Sequence, residues 1–234
     1  MSAASIEPAY PRVSFQGELG AYGDAAIGDR WRGRAVAMPA RTFEDALAMV
    51  CSGRTDYAVI PVWNSTLGDL HAQRAALAAY TPRVRVVDEL VVPVQHCLLA
   101  LPSATLDTIR VVGSHPAALA QCRRFFRSRR ALIQLDAFDT AGAARELAHA
   151  LPVSRCPADV VRPHRPWFDG AGVGVHELAV IASATAARRY GLAVVAEAIQ
   201  DDPANATRFA VVRSRHGPVP RGGPYPEPGA ARHG

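Results

Sequence analysis

Asp56-Tyr57-Ala58-Val59-Ile60-Pro61-Val62 runs without a break into Trp63-Asn64-Ser65-Thr66-Leu67-Gly68. After its first residue the opening stretch is almost wholly apolar and has the length of one strand. A strand with one wet face alternates apolar and polar residues. An unbroken apolar run instead fits a parallel sheet covered on both sides. The run then ends in an amide and a hydroxyl, Asn64 and Ser65. Sheets of this kind hold ligands beyond the carboxyl ends of their strands. The same pair could equally cap the helix expected from about 69 to 79, and the residues leave both readings open.

Outward from this stretch, strand and helix signals alternate. Upstream, Val13 to Phe15 starts a strand. The glycine-rich Gln16–Asp24 follows, without a dinucleotide fingerprint but able to bring backbone N–H groups near a ligand. Ala35 to Met38 reads as a strand. Thr42 with Asp45 signals a capped helix over Phe43 to Cys51, closed by Gly53. Downstream, Val84 to Leu101 is strand-like but must split at Pro93, which cannot donate to a ladder. A strand at Ile109 to Val112 precedes Ser114-His115-Pro116 and a helix expected to run to about Ser128. Leu132 to Leu135 is a strand, and Asp139 or Thr140 caps the next helix. Residues 151 to 176 read as an irregular lid or disordered insertion. Leu178 to Ile181, a helix from Ser183 to Tyr190 closed by Gly191, and strands near Val194 and Ala210 finish the core. Residues 1 to 10 are expected to be a loose arm, and 214 to 234, rich in Gly, Pro and Arg, a disordered tail. The class is α/β with mostly parallel strands.

Composition narrows the chemistry. All 26 basic residues are arginine, so this chain has no lysine for a Schiff base or a P-loop. The arginines are scattered with little aromatic interleaving, which argues against nucleic acid despite a net charge of +5. Arginine's planar fork suits small anionic ligands. No apolar run reaches membrane-spanning length and no signal peptide is apparent, so a protein of the cytoplasm is expected. Cys51, Cys97, Cys122 and Cys156 show no Cys-x-x-Cys pair. Cys156, His164 and His176 lack metal-ligand spacing. Ser65 or Ser114 with His115 lacks the elbow of a serine hydrolase.

Two further polar clusters remain. Ser114 reads as an N-cap whose helix end can hold a carboxylate, with Gln121 two turns along the same face. Asp201-Asp202-Pro203-Ala204-Asn205-Ala206 is a turn that delivers Thr207 and Arg208 at the start of a strand. That pair joins the other clusters only if its strand runs antiparallel.

Taken in order, these segments resemble the prephenate dehydratase family, including its arogenate dehydratase branch. The matching stretches are Val13–Tyr22, Asp56–Ser65, Pro93–Leu99, Ser114-His115-Pro116 with Ala120-Gln121-Cys122, Asp139–Ala144, Ala182-Ser183 with Tyr190-Gly191-Leu192, and Ile199–Asp202 with Asn205–Phe209. The resemblance implies two α/β lobes, about 11–92 and 93–190 with returning strands at 193–213, in the manner of type II periplasmic binding proteins with a cleft between lobes. It implies a cytoplasmic lyase of phenylalanine biosynthesis, expected to be a homodimer, that uses no cofactor and no metal. The substrate would be prephenate or arogenate, losing a ring hydroxyl as water and a ring carboxylate as CO2. Thr207 would be the key catalytic residue, with Ser114 and Gln121 beside it. Asn64, Ser65, Arg208, Phe209, Thr140, Ala21 and Tyr22 would bind substrate.

The chain departs from the family pattern at Trp63, where an acid is usual, and at Gly23, where serine is usual. No regulatory ACT domain is expected after the catalytic part, nor phenylalanine feedback of the usual kind. Trp63 favours altered chemistry, such as a non-aromatising decarboxylase, or a silent binding protein. The intact Thr207-Arg208-Phe209 favours the dehydratase.

Overall fold

The structure, a computed structural model, describes residues 10–150, 166–221 and 225. Its first elements are β1 (Arg12–Gln16), α1 (Tyr22–Trp31), β2 (Val36–Ala40), α2 (Phe43–Cys51), β3 (Tyr57–Asn64), β4 (Gly68–Asp69), α3 (His71–Tyr80) and β5 (Val84–Pro93). Next come β6 (Cys97–Ala100), β7 (Val111–Ser114), α4 (Pro116–Ala120), α5 (Arg123–Arg127), β8 (Ile133–Asp136) and α6 (Thr140–Ala148). β9 (Leu178–Ala182), α7 (Ala184–Tyr190), β10 (Ala193–Ala196) and β11 (Ala206–Ser214) complete it.

The chain divides into two compact units. The first holds residues 10–17, 23–92 and 206 onward; the second holds 18–22 and 93–205. After the short excursion at 18–22, the chain passes into the second unit at Pro93, where the sequence requires the long strand to break.

In the first unit the strand order is β2-β1-β3-β11-β5, with β4 beside β3. The apolar run of β3 lies at its centre, with Tyr57 to Ile60 each no more than 1% exposed. The helices α2 and α3 seal one face of the sheet, placing Ala46, Leu47, Val50 and Ala76 over Ala58, Ile60, Val62, Ala210 and Val212. The start of α2 is the expected capping box: Asp45 N donates to Thr42 Oγ1 (3.0 Å) and Thr42 N to Asp45 Oδ2 (3.2 Å).

In the second unit the order is β10-β6-β9-β7-β8. One face packs Ala143, Ala144 and Leu147 of α6 with Ala186 and Ala187 of α7; the other packs Leu119, Phe125 and Phe126. Both units thus share one pattern, a sheet with a late strand inserted. The sheets are mixed rather than mostly parallel. β1 with β2 and β3, and β7 with β8 and β9, are parallel; β3 with β4 and β11, and β6 with β9 and β10, are antiparallel. A strand that re-enters a sheet after a long excursion carries no sequence mark of its direction.

Four local expectations are corrected. The helix expected from 116 to 128 is two short ones, broken at Gln121-Cys122. Asp201 causes the break: its carboxylate accepts from Arg123 N (3.1 Å) and Arg124 N (2.7 Å), starting a new helix there. Ser114 ends β7 instead of capping α4; His115 is the cap, its Nδ1 accepting from Ala117 N.

The segment 166–176, read as part of a lid, packs on the second unit. Trp167 Nε1 donates to Ala143 O (3.2 Å) and the indole lies against Gly113, where a Cβ would overlap it. The rest of that reading, 151–165 with Cys156 and His164, lies outside the described residues. His176 pairs with Ser103 Oγ, and no metal-binding cluster occurs among the described residues.

Finally, residues placed in a disordered tail are tied down. Arg215 Nε donates to Thr81 O and Val84 O, and Arg221 pairs with Asp56 at 3.0 Å. Composition hid these anchors because a few side chains suffice to hold a Gly/Pro-rich segment. Among the described residues no helix is long and apolar enough to cross a membrane.

Candidate active site

β11 runs antiparallel to β3, so its beginning lies beside the end of β3. Thr207 stands opposite Asn64 and Arg208 opposite Trp63; the partner then skips to Pro61 for Phe209. This bulge leaves Val62 unmatched and re-aims the side chains beyond it. The condition on Thr207 posed by the sequence, an antiparallel strand, is therefore met.

Asn64 is 4% exposed and its amide is fixed at both ends. Nδ2 donates to Thr207 Oγ1 (3.0 Å) and Ala206 O (3.1 Å). Oδ1 accepts from Thr66 N (2.9 Å) and Leu67 N (3.0 Å), which sets which end is oxygen. Asn64 thus closes its own turn instead of capping α3, whose N-cap is Leu70. Because Thr207 Oγ1 accepts from Asn64, its own proton is left for another acceptor, and the incoming bond strengthens it as a donor. Ser65 completes the clamp. Its N–H donates to Ala206 O, and its Oγ accepts from Ala206 N, both at 2.9 Å.

Arg208 lies over the indole of Trp63, 5.1 Å from its centre, with Glu89 Oε2 at 3.9 Å. The guanidinium is 43% exposed, so its charge stays accessible while stacking limits its rotamers. Phe209 is buried in the sheet and holds the strand rather than facing a ligand.

The second unit builds another polar cluster around His96, itself only 2% exposed. Its Nε2 is 2.8 Å from Gln121 Oε1 and its Nδ1 is 3.0 Å from Tyr22 OH. Asn205 Nδ2 also donates to Gln121 Oε1 (3.0 Å), and Tyr22 OH donates to Gln95 O (2.8 Å). The single Tyr22 proton serves either Gln95 O or His96 Nδ1, whereas the Gln121 oxygen requires a proton on His96 Nε2. A neutral imidazole carries its proton on Nε2, and the Gln121 oxygen accepts from both sides. Burial lowers the His96 pKa, against the opposing effect of its hydrogen bond to Gln121 Oε1, and so favours that neutral form. Burial also raises the Tyr22 phenol and, to about 12, the Cys122 thiol. With its oxygen pinned, Gln121 presents its NH2 in a fixed direction. The helix break caused by Asp201 places it there.

The remaining predicted residues are less engaged. Ser114 is fully buried and its hydroxyl donates to Ile181 O (2.7 Å). Thr140 opens α6 but the cap is Asp139, whose carboxylate accepts from Gly142 N. Ala21 closes a turn onto Glu18 O. His96 and Asn205 were not assigned a role from the sequence. The available signal was the polar pair Gln95-His96 inside the otherwise apolar Leu90–Leu101 stretch.

Each unit is thus an α/β sheet with buried, hydrogen-bonded polar side chains at the ends of its strands and helices. Residues 13–217 match the model of the family Prephenate dehydratase, and the chain belongs to that family. It is 36% identical over 211 residues to "Arogenate dehydratase 5, chloroplastic" of Arabidopsis thaliana, covering 90% of this chain and 43% of the relative. The chain spans about half the length of the curated relatives it matches. Among solved structures, a prephenate dehydratase from Arthrobacter aurescens in complex with L-Phe is 27% identical, with a TM-score of 0.70 over 89% of this chain and 62% of that one. GqqA, described as a novel type of quorum quenching acylase, is 31% identical, with a TM-score of 0.67 over 89% and 66%.

Proposed function

We propose that this chain catalyses the decarboxylative dehydration of prephenate to phenylpyruvate, with arogenate, the amino analogue, as the alternative substrate. The observation that carries the reading is the Asn64–Thr207 hydrogen bond across β3 and β11, which holds a polarised hydroxyl donor at a strand end. In the reaction the ring C–O bond and the bond to the ring carboxylate break. The carboxylate leaves as CO2, its bonding pair enters the ring, and the hydroxyl leaves with a proton as water. Aromatisation drives the change, so the protein must orient the substrate and stabilise the departing oxygen rather than supply a nucleophile.

Thr207 donates to that oxygen as negative charge grows on it, and Asn64 keeps the donor aimed. Arg208, stacked on Trp63, attracts a substrate carboxylate. Within the second unit, the Gln121 NH2, held by His96 and Asn205, is a fixed donor in its own right. Ser114 supports Ile181 from within the sheet. Trp63 replaces the family's acid without removing Arg208 from its place, and this favours the dehydratase over a silent binding protein. A homodimer in the cytoplasm is proposed on the resemblance alone; sedimentation of the pure chain decides its oligomeric state.

The test is incubation of pure protein with prephenate, following phenylpyruvate absorbance and CO2 together, and in parallel with arogenate, following phenylalanine and CO2. Equal release of CO2 and the aromatic product supports the proposal. CO2 without the aromatic product would assign a non-aromatising decarboxylase, and neither product from either substrate would sink it.

A further inference from the structure

Beyond β11 the sequence holds one aromatic residue, Tyr225, flanked by Pro224 and Pro226. Its ring sits edge-on to Trp31 (centroids 5.7 Å apart) and Tyr57 (5.2 Å), and the Arg30 guanidinium lies over it at 4.5 Å. Its hydroxyl donates to Asp88 Oδ2 (2.8 Å) and accepts from Arg30 Nε (2.8 Å). Arg30 and Asp88 also pair with each other at 3.0 Å and are only 18% and 14% exposed. The phenol is therefore met by a cation over its ring and by two rings in edge contact, and at its oxygen by one donor and one acceptor. A residue needed only as an apolar plug requires none of that polar matching. A second observation points the same way. The hydroxyl of Tyr57, which lines this cluster, is buried without any hydrogen-bond partner. Buried polar groups are rarely left so, and a polar substituent on a bound molecule would satisfy it.

We propose that Arg30, Trp31, Tyr57 and Asp88 form a binding site for a free 4-hydroxyphenyl compound, and that Tyr225 occupies it as a tethered ligand. Tyr57 begins β3 and Asn64 ends it, seven residues and ~23 Å apart along the strand. Occupancy here is therefore separate from the Thr207 cluster. A tethered tyrosine competes at an effective concentration of the order of millimolar, so the parent chain should admit a free phenol only at comparable concentrations. The hydroxyl contacts should also discriminate, because an analogue lacking it forgoes one donated and one accepted hydrogen bond, while Arg30 and Asp88 keep only their own pair.

The experiment is calorimetric titration of the full chain and of its Tyr225→Ala variant with p-cresol, and with toluene as the hydroxyl-free control. The variant should bind p-cresol at least tenfold more tightly than the parent does, and toluene at least tenfold more weakly than p-cresol. Equal p-cresol affinity in the two chains, or toluene bound as tightly as p-cresol, overturns the proposal and leaves Tyr225 a structural anchor. Should Tyr225→Ala fail to fold, Tyr225→Phe keeps the ring and loses the hydroxyl. p-Cresol should then bind at least threefold more tightly than to the parent, and unchanged binding overturns the proposal. None of these readouts uses turnover, so the result is independent of the dehydratase reading.

Discussion

At Thr207 the proposed chemistry rests on one proton. Thr207→Val keeps the shape and removes the donor. Losing a donor that acts on developing charge costs ~3 kcal/mol, about a hundredfold in kcat, with KM nearly unchanged because the interaction grows only in the transition state. Asn64→Asp replaces the amide donor with an acceptor facing Thr207 Oγ1. The threonine proton would then turn inward, so kcat should fall comparably. The double variant should be no worse than either single one, since both remove the same interaction. A parent rate in Thr207→Val would reduce Thr207 to a strand residue.

Trp63→Glu restores an acid opposite Arg208, where a cross-strand charge pair stabilises by ~0.2–1 kcal/mol. Dehydratase activity should be kept or raised; a large loss with the fold intact would mean that the indole itself belongs to the site. For His96 the sign follows from burial. Its folded pKa lies below the ordinary 6.5, so as pH falls below 6.5 the unfolded chain takes up the proton first. That part of the stability is present at neutral pH and lost on acidification. His96→Gln should therefore flatten the fall in unfolding free energy between neutral and mildly acid pH, measured by urea titration. An unchanged slope would show that His96 does not titrate as argued.

At the scale of elements, the second unit depends on a glycine with no backbone strain at all. Gly113 in β7 makes room for the Trp167 indole. Gly113→Ala forces the ring away and disturbs the neighbouring Ser114. Overpacking of this kind costs ~1–3 kcal/mol, read as a lowered Tm, and Trp167 fluorescence should shift to the red as the ring gains solvent. The pairing of the α4–α5 break with Asp201 illustrates what the sequence conceals. Pro116 to Ser128 is a good helix signal locally, and only a carboxylate some 75 residues later makes two shorter helices the better solution. The capping box of α2, the split at Pro93 and the Gly191 terminus were legible because each is a contact between residues a few positions apart. Gly191 does take the left-handed conformation, at φ 67°.

For the whole molecule, charge gives the clearest expectation. The chain carries +5 without a single lysine, and the proposed substrate is a dianion. Steering by such a field weakens as salt screens it, over ~10 Å at 0.1 M ionic strength. kcat/KM should fall with added sodium chloride while kcat stays nearly constant. Salt-independent kcat/KM would show that the net charge plays no part in capture.

The sequence by itself determined the alternation of strands and helices, the apolar centre of β3, the caps, and the order of motifs that places the chain in its family. Each of these is encoded in neighbours along the chain or in a linear pattern. The tertiary structure alone decided the direction of β11, and with it that Thr207 meets Asn64. It likewise decided that Ser114 faces Ile181 within the sheet, that His96 and Asn205 pin Gln121, and that Tyr225 returns to Trp31 and Tyr57. Those contacts join residues from 25 to more than 140 positions apart. Their partners are chosen by the packing of whole sheets, and no local preference of either residue specifies the other.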